Sequence, residues 1–565
     1  MASLKKKIIN GNPYYYLREC KRIDGKPKIV WQEYIGSPSQ LVARLTNPEP
    51  KEIVVRDFGA VVAAYDVAEQ LNIVAAIDRH VPKRGNQGPT VGQYLVTAAI
   101  NRGVAPCSKS KMAEWYQRTV LARLIGMKIS QLTSQRFWDN MERVEEKAIV
   151  AIEEQIAATA VSRFDVDLSC LAFDATNFFT FIDSFNNASH LAQRGHGKEG
   201  RDNLRIIGLA LLVSCDGEIP LLHHTYPGNQ ADSTTFSGLA NRLADRCRAL
   251  GEGVCDITLV FDKGNNSKQN LKKIAKGPFH FIGSLVPTHH PDLLAIRRDQ
   301  MHDLDPDQFP TVSCYRTSKK IFGVERTVLV TYNKQLYQAQ LKTLLRETRK
   351  RKKKLARLQD RLQAHAKGKM HGKQPTLQGT KNKIRAILSA RHMKDLFSFT
   401  IKTVGKDKLP KLIWSFQDDK WKELKQTLLG KTILFTDRAD WSDEEVVRGY
   451  RSQHHVETAF RRMKDPRFLT FRPTNHWTDQ KVRVHAFYCV LALMILSLLR
   501  RQLESSGIAM SIQRMVERLS DIKEVQILYP TPKRKSPRLR AILSKCDKQQ
   551  LRMLKILQLS KYQPT

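Results

Sequence analysis

What this 565-residue chain lacks narrows it first. Its nine cysteines, at 20, 107, 170, 215, 247, 255, 314, 489 and 546, include no CxxC pair, are odd in number, and fall in several cases inside apolar runs. That argues against a disulfide framework or a thiol zinc cage, and for reduced thiols in a cytosolic protein. No apolar segment follows the basic start MASLKKKIING, so no secretory signal is expected. The longest apolar run, residues 486–499, is too short to cross a bilayer and predicts a buried core helix. No internal repeat or low-complexity tract dominates. Acid is also scarce: 55 Asp and Glu stand against 94 Lys and Arg, a net charge of +39. The excess is spread along most of the chain, which points to a polyanionic partner. A merely solvated basic surface, as on a ribosomal or RNA-binding protein, is the plainer alternative.

What is present suffices for real cores. Apolar residues make up 41% of the chain, and its length allows roughly three or four domains. Residues 1–57 hold a predicted β-hairpin (7–36) turning at Asp24-Gly25. Residues 58–165 carry apolar positions at helical spacing and many bases (Lys109, Lys111, Arg118, Arg123, Arg136), and form either a DNA-binding module or an ordinary helical domain with a charged face. From 166 to 286 the pattern changes. Strands are expected at 168–173, 206–213, 219–226, 257–261 and 279–285, with helices at 232–250 and from Asn266 or Ser267 to 274. This β-β-β-α-β-α-β order, followed later by an acid-bearing helix, is that of an α/β, RNase H-like fold, whose first and fourth strands lie side by side. Residues 287–435 read as a mixed β/α insertion with a long basic helix near 336–366. Residues 436–504 complete the core, and 505–565 read as a basic helical tail.

Three acids stand out against this frame. Asp174 follows the apolar run LAF, and Asp262 follows ITLVF. Both are thus placed at carboxyl ends of strands, where open α/β sheets hold ligands. Glu457 lies in a helical segment with Tyr450 and Lys464 seven positions to either side. Seven steps return to within about 20° of the start, so all three share a helix face, and Arg461 joins the stripe. Such a face is a poor core but suits a metal ligand flanked by phosphate-gripping groups. Singly, each acid is explained as well by a turn, a cap or an i,i+4 pair. Together, three carboxylates on a buried scaffold are what two Mg²⁺ ions need for phosphodiester cleavage. Asp165 and Asp167, in a polar stretch before the first strand, are expected on the surface. The histidine pairs at 223–224, 289–290 and 454–455 lack a second ligand set at suitable spacing, so no zinc site is expected.

These motifs resemble those of insertion-sequence DDE transposases, of the IS-four superfamily and its IS-sixteen-thirty-four branch. The matching segments are Phe173-Asp174-Ala175-Thr176, Phe261-Asp262-Lys263-Gly264-Asn265-Asn266-Ser267, and the Tyr-x2-Arg-x3-Glu-x6-Lys pattern at Tyr450, Glu457 and Lys464. Further matches are 197–201, Pro227-Gly228-Asn229 with Asp232, and Arg472-Pro473 with His485. The pattern's arginine is replaced by Gln453, with Arg451 or Arg461 as substitutes. The resemblance spans roughly residues 55–500. It implies that Asp174, Asp262 and Glu457 coordinate two divalent ions, Mg²⁺ or Mn²⁺, while Tyr450, Lys464, Arg461 and Arg451 bind DNA phosphates. It further implies cleavage at terminal inverted repeats, strand transfer into target DNA, a homo-oligomeric synaptic complex, and a cytoplasmic, nucleoid-associated, prokaryotic setting. The alternative is a catalytically inactive or repurposed DNA-binding descendant.

Overall fold

The computed structural model describes the chain except residues 1, 24, 46–49, 84, 86–87, 184, 196, 198, 201–202, 232–233, 237, 240–241, 243–244, 247–255, 276, 278, 371, 405–407, 472–475, 530–537 and 564–565. It divides into two compact units, Met1–Arg143 with Ile495–Thr565, and Val144–Met494.

The first unit begins with a three-stranded antiparallel sheet of β1 (Ala2–Ile9), β2 (Asn12–Ile23) and β3 (Lys26–Gly36). The expected hairpin is its β2–β3 half. The run Lys5-Lys6-Lys7 hides β1 from a search for apolar alternation, and Asn10-Gly11, both at positive φ, turn it onto β2. Strand β4 (Glu52–Asp57) pairs with Lys523–Tyr529, which in turn pairs with Arg538–Leu543. The tail is therefore not simply helical. Alternation through Glu524, Val525, Gln526 and Ile527 marks a strand that the surrounding bases obscure. Residues 58–143 are helical as expected, and bury Val62, Leu95, Tyr116, Phe137 and Met141.

The second unit is built on a ten-stranded mixed sheet. Its strands are β5 (Cys170–Phe179), β6 (Gln193–Arg194), β7 (Arg205–Ser214), β8 (Pro220–Pro227), β9 (Ile257–Phe261), β10 (Phe279–Leu285), β11 (His302–Asp303), β12 (Val312–Ile321), β13 (Val324–Asn333) and β16 (Lys431–Thr436). The order is β11-β12-β13-β16-β10-β9-β5-β7-β6, with β8 also on β7. Only the β5–β9 and β9–β10 pairs are parallel. A file of buried rings, Phe173, Phe236, Phe261, Phe281 and Phe435, runs across β5, β9, β10 and β16 at centroid spacings of 4.9 to 5.9 Å, with the helical Phe236 between the rings of β5 and β9. Burial of each ring is worth about 1.5–3 kcal/mol, which strongly favours this register.

Two expectations are corrected here. Strand β5 does not end at Asp174 but continues to Phe179, because residues 174–179 keep pairing with β7 after the parallel contact with β9 has stopped. The stretch 287–435 is not wholly a separate insertion, since β12 and β13 extend the main sheet through β16. What lies between β13 and β16 has its own core. There Leu344, Leu355, Leu358 and Leu362 of the helix Lys334–Ala366 pack with Ile384, Leu388, and strands β14 (Phe397–Val404) and β15 (Leu409–Phe416). The apolar run at 486–499 belongs to a 27-residue helix, Asp479–Ser505, long and apolar enough to cross a membrane by length and composition, yet 94% buried over its most apolar window. The expected helix at 232–250 lies mostly outside the described residues.

Candidate active site

Parallel pairing of β5 with β9 sets Phe173 opposite Phe261. An acid follows each of these paired residues, Asp174 within β5 and Asp262 just past the end of β9, so the register brings the two chain positions to the same end of the pair although 88 positions separate them. Successive side chains of a strand point to opposite faces. Each buried phenylalanine therefore anchors its strand while the following carboxylate emerges, half-buried, on the other face. Asp262 opens a short turn, Lys263–Asn265, held by packing and caps. The Asn266 side chain donates to the Ser284 carbonyl at 2.6 Å, and Ser267 caps the helix Lys268–Ile274 through the Asn270 amide at 3.0 Å.

The third acid arrives differently from expectation. Tyr450 and Glu457 do not share one helix. Tyr450 ends Asp443–Arg451, and Glu457 stands in the first turn of His454–Lys464. The break falls at Ser452-Gln453, where Gln453 is buried. The first helix has a capping box between Ser442 and Glu445 and rests on β9 and β10. Gly449 permits this closeness, because a Cβ there would meet Ile282 Cδ1 at 2.5 Å. Despite the break, Tyr450 stays within electrostatic reach of Asp262 and Glu457. Its hydroxyl pKa is held above the ordinary value, first by burial and then by Asp262 and Glu457, against the effect of a hydrogen bond with Ser284.

The second helix packs on β5 through Val456, Ala459, Phe460 and Met463. Lys464 Nζ donates to Thr176 Oγ1 at 2.7 Å, lies 3.7 Å from Glu199 and sits over the Phe178 ring, two residues along β5 from Thr176. Glu457 itself is exposed. Arg461 is exposed with its guanidinium on Thr458 at 3.2 Å, and Arg451 stacks over Phe309 at 4.9 Å. Of the sequence-derived residues, Asp174 and Asp262 thus follow paired residues of β5 and β9, Tyr450 is within charge reach of Asp262 and Glu457, and Lys464 reaches β5, while Arg451 and Arg461 are exposed. Thr176, quoted in the sequence only as part of the first-Asp segment, takes its role from the Lys464 contact, and Ser284, a buried polar residue of β10, carries no mark in the sequence of its contact with Tyr450.

Other residues fall into structural roles. Asp165 and Asp167 are exposed, and Asp167 accepts from the Ser169 amide and hydroxyl at 2.8 Å. His223 pairs with buried Glu153 at 2.5 Å, His224 contacts Arg242 at 3.0 Å, and His455 lies 3.7 Å from Glu218. Buried His485 contacts the Phe471 carbonyl at 2.8 Å and the Tyr488 hydroxyl at 2.5 Å. Of the further matching segments, Lys198, Arg201, Asp232, Arg472 and Pro473 lie outside the described residues.

The oxygens of Asp174, Asp262 and Glu457 do not all fall within 4.8 Å of one another. As a donor set the three fit Mg²⁺ or Mn²⁺, being carboxylates only, and among the described residues neither Asp262 nor Glu457 is engaged in an ion pair.

Fold and site together describe a mixed α/β protein in which Asp174 and Asp262 follow paired residues of two parallel strands. Residues 167–495 match the family model described as "Transposase DDE domain", and the chain belongs to that family. Among solved structures it is similar to a piggyBac transposase synaptic complex with hairpin DNA, at 8% identity and a TM-score of 0.36, covering 83% of this chain and 82% of that one. No curated protein matches it.

Proposed function

We propose that this chain is a DNA transposase of the IS-four superfamily, in its IS-sixteen-thirty-four branch, which cuts at terminal inverted repeats and transfers the strand to target DNA. The observation that carries this is the β5–β9 register, which pairs Phe173 with Phe261, the residues directly before Asp174 and Asp262, together with a tyrosine within electrostatic reach of Asp262 and Glu457. The strand order β8-β7-β5-β9-β10, with β5, β9 and β10 parallel, supports an RNase H-like core. Asp174, Asp262 and Glu457 would hold two divalent ions, Mg²⁺ or Mn²⁺. Ions of this kind supply activation of the attacking oxygen and stabilisation of the leaving one.

The chain's own groups do the rest. Tyr450, half-buried and kept protonated, donates to a phosphate oxygen. Lys464 holds Thr176, and so the Glu457 helix, against β5, and offers its charge to the strand near the cut. Arg451 and Arg461 are the exposed cations for the flanking backbone. The outer face of Lys334–Ala366 adds Arg346, Arg349, Lys350, Lys352, Lys353 and Lys354, all exposed, as a track for duplex DNA. The working form is a homo-oligomer on paired ends, in the nucleoid of a prokaryotic cytoplasm.

The test is cleavage of a labelled duplex carrying the inverted repeats that flank the gene, with Mg²⁺, with Mn²⁺ and with chelator. Nicking at the repeat boundary that requires metal is expected. Tight repeat binding with no cleavage under any condition would instead make the chain a repurposed DNA-binding protein.

A further inference from the structure

Away from the three carboxylates, a different ligand chemistry gathers where β11 and β12 meet the first turn of the Tyr450 helix. His302 and Cys314 are direct partners in the β11–β12 ladder. His302 Nε2 lies 3.3 Å from Cys314 Sγ and 3.1 Å from Asp443 Oδ2, and Cys314 Sγ lies 3.3 Å from that same oxygen. The other Asp443 oxygen accepts from Arg316 Nη1 at 2.7 Å, and Arg316 is itself fixed by the carbonyls of Trp441 at 2.8 Å and Ala439 at 3.0 Å. Cys314 is fully buried in the core between sheet and helix, whereas His302 is open to solvent.

Zinc bonds of about 2.0–2.1 Å to nitrogen, 2.3 Å to sulfur and 2.0–2.2 Å to oxygen, at tetrahedral angles, require donor separations of roughly 3.4–3.6 Å. The triangle here is a few tenths of an ångström tighter. A plain hydrogen-bonded triangle would also bring these atoms together. It would not call for one nitrogen, one sulfur and one oxygen donor, with the carboxylate oriented from behind by an arginine and one side left open, as outer-shell partners orient metal ligands.

We propose that His302, Cys314 and Asp443 bind one Zn²⁺, with water as the fourth ligand on the exposed side. Binding forms a zinc–sulfur bond, and the Cys314 thiol proton leaves to solvent. Thiolate and carboxylate together balance the charge of the ion. The metal then staples the β11–β12 edge to the start of the helix that carries Tyr450. This site is chemically distinct from the oxygen-only set at Asp174, Asp262 and Glu457, and does not depend on it.

Metal-free full-length protein titrated with Co²⁺ tests this by absorption. Wild type should develop a thiolate-to-cobalt charge-transfer band and tetrahedral ligand-field bands that saturate at one equivalent. Cys314→Ala should abolish the charge-transfer band. His302→Ala, which alters an exposed side chain and leaves the core packed, should weaken binding by more than the ~10–100-fold typical of losing an outer-shell partner. Glu457→Ala should leave the spectrum unchanged. A wild-type protein without the charge-transfer band, or a band that survives both Cys314→Ala and His302→Ala, would overturn the site.

Discussion

The β5–β9 strand pair and the helix Lys334–Ala366 present charge in opposite ways. On the strands, single carboxylates emerge from segments that are otherwise almost wholly buried, each fixed by the phenylalanine before it. On the helix, a band of bases stands exposed behind a buried leucine face. Of the basic residues within 346–354 only Arg351 is half-buried, held by Glu347 at 2.5 Å and the Ile387 carbonyl at 3.0 Å. In the first region position is everything. In the second it is the number of charges that counts, because backbone binding is a sum of similar interactions.

If that contrast is right, the largest effects come from single acids. Asp174→Ala or Asp262→Ala should reduce cleavage beyond the ~10²–10³-fold typical of losing one transition-state donor, with DNA affinity unchanged. Wild-type rates in either variant would remove that residue from the site. Next comes the buried face of the basic helix. Leu355, fully buried, should cost about 2–5 kcal/mol on change to alanine, read by denaturant unfolding. A loss near zero would mean the helix is not held by that face.

Lys464→Ala, which removes the hydrogen bond to Thr176, should slow cleavage about 10–100-fold, the scale of an outer-shell partner. Neutralising Arg349, Lys350, Lys353 and Lys354 together should leave the cleavage step intact and flatten the salt dependence of DNA binding. The log–log slope should change by ~0.9 for each phosphate that is no longer neutralised, and an unchanged slope would make the helix a solvated face only. Smallest is a pH effect. Tyr450 has a raised pKa in the folded state, so its contribution to stability is complete below the unfolded value near 10.0 and is lost as pH rises through the folded value. Tyr450→Phe should therefore soften alkaline destabilisation, and identical alkaline curves for the two proteins would contradict the burial of that hydroxyl.

These contrasts also explain what was legible in the sequence. An acid directly after a run of buried residues, as at Asp174 and Asp262, stands out because the strand around it tolerates nothing else polar without a purpose. The pairing of the strands that precede them followed from strand order, and β5 and β9 are neighbours in the sheet. The reach of β5 past Asp174 was not legible, since one-sided pairing with β7 leaves no mark at that residue. Nor was the helix break at Ser452-Gln453, where no glycine or proline interrupts the pattern and the seven-residue spacing argues for continuity. The strands at Ala2–Ile9 and Lys523–Tyr529 were masked by lysines and by polar alternation. His302, Cys314 and Asp443 are invisible to any spacing rule, because the sheet and a helix start 129 positions beyond Cys314 bring them together.

The most direct test of the central claim concerns Glu457, whose place in the site comes from a helix rather than from strand register. Single-turnover cleavage of the repeat duplex by Glu457→Ala should be measured beside its DNA dissociation constant. Loss of cleavage with unchanged DNA affinity is the predicted result. Cleavage at the wild-type rate would contradict the assignment of Glu457 to one site with Asp174 and Asp262.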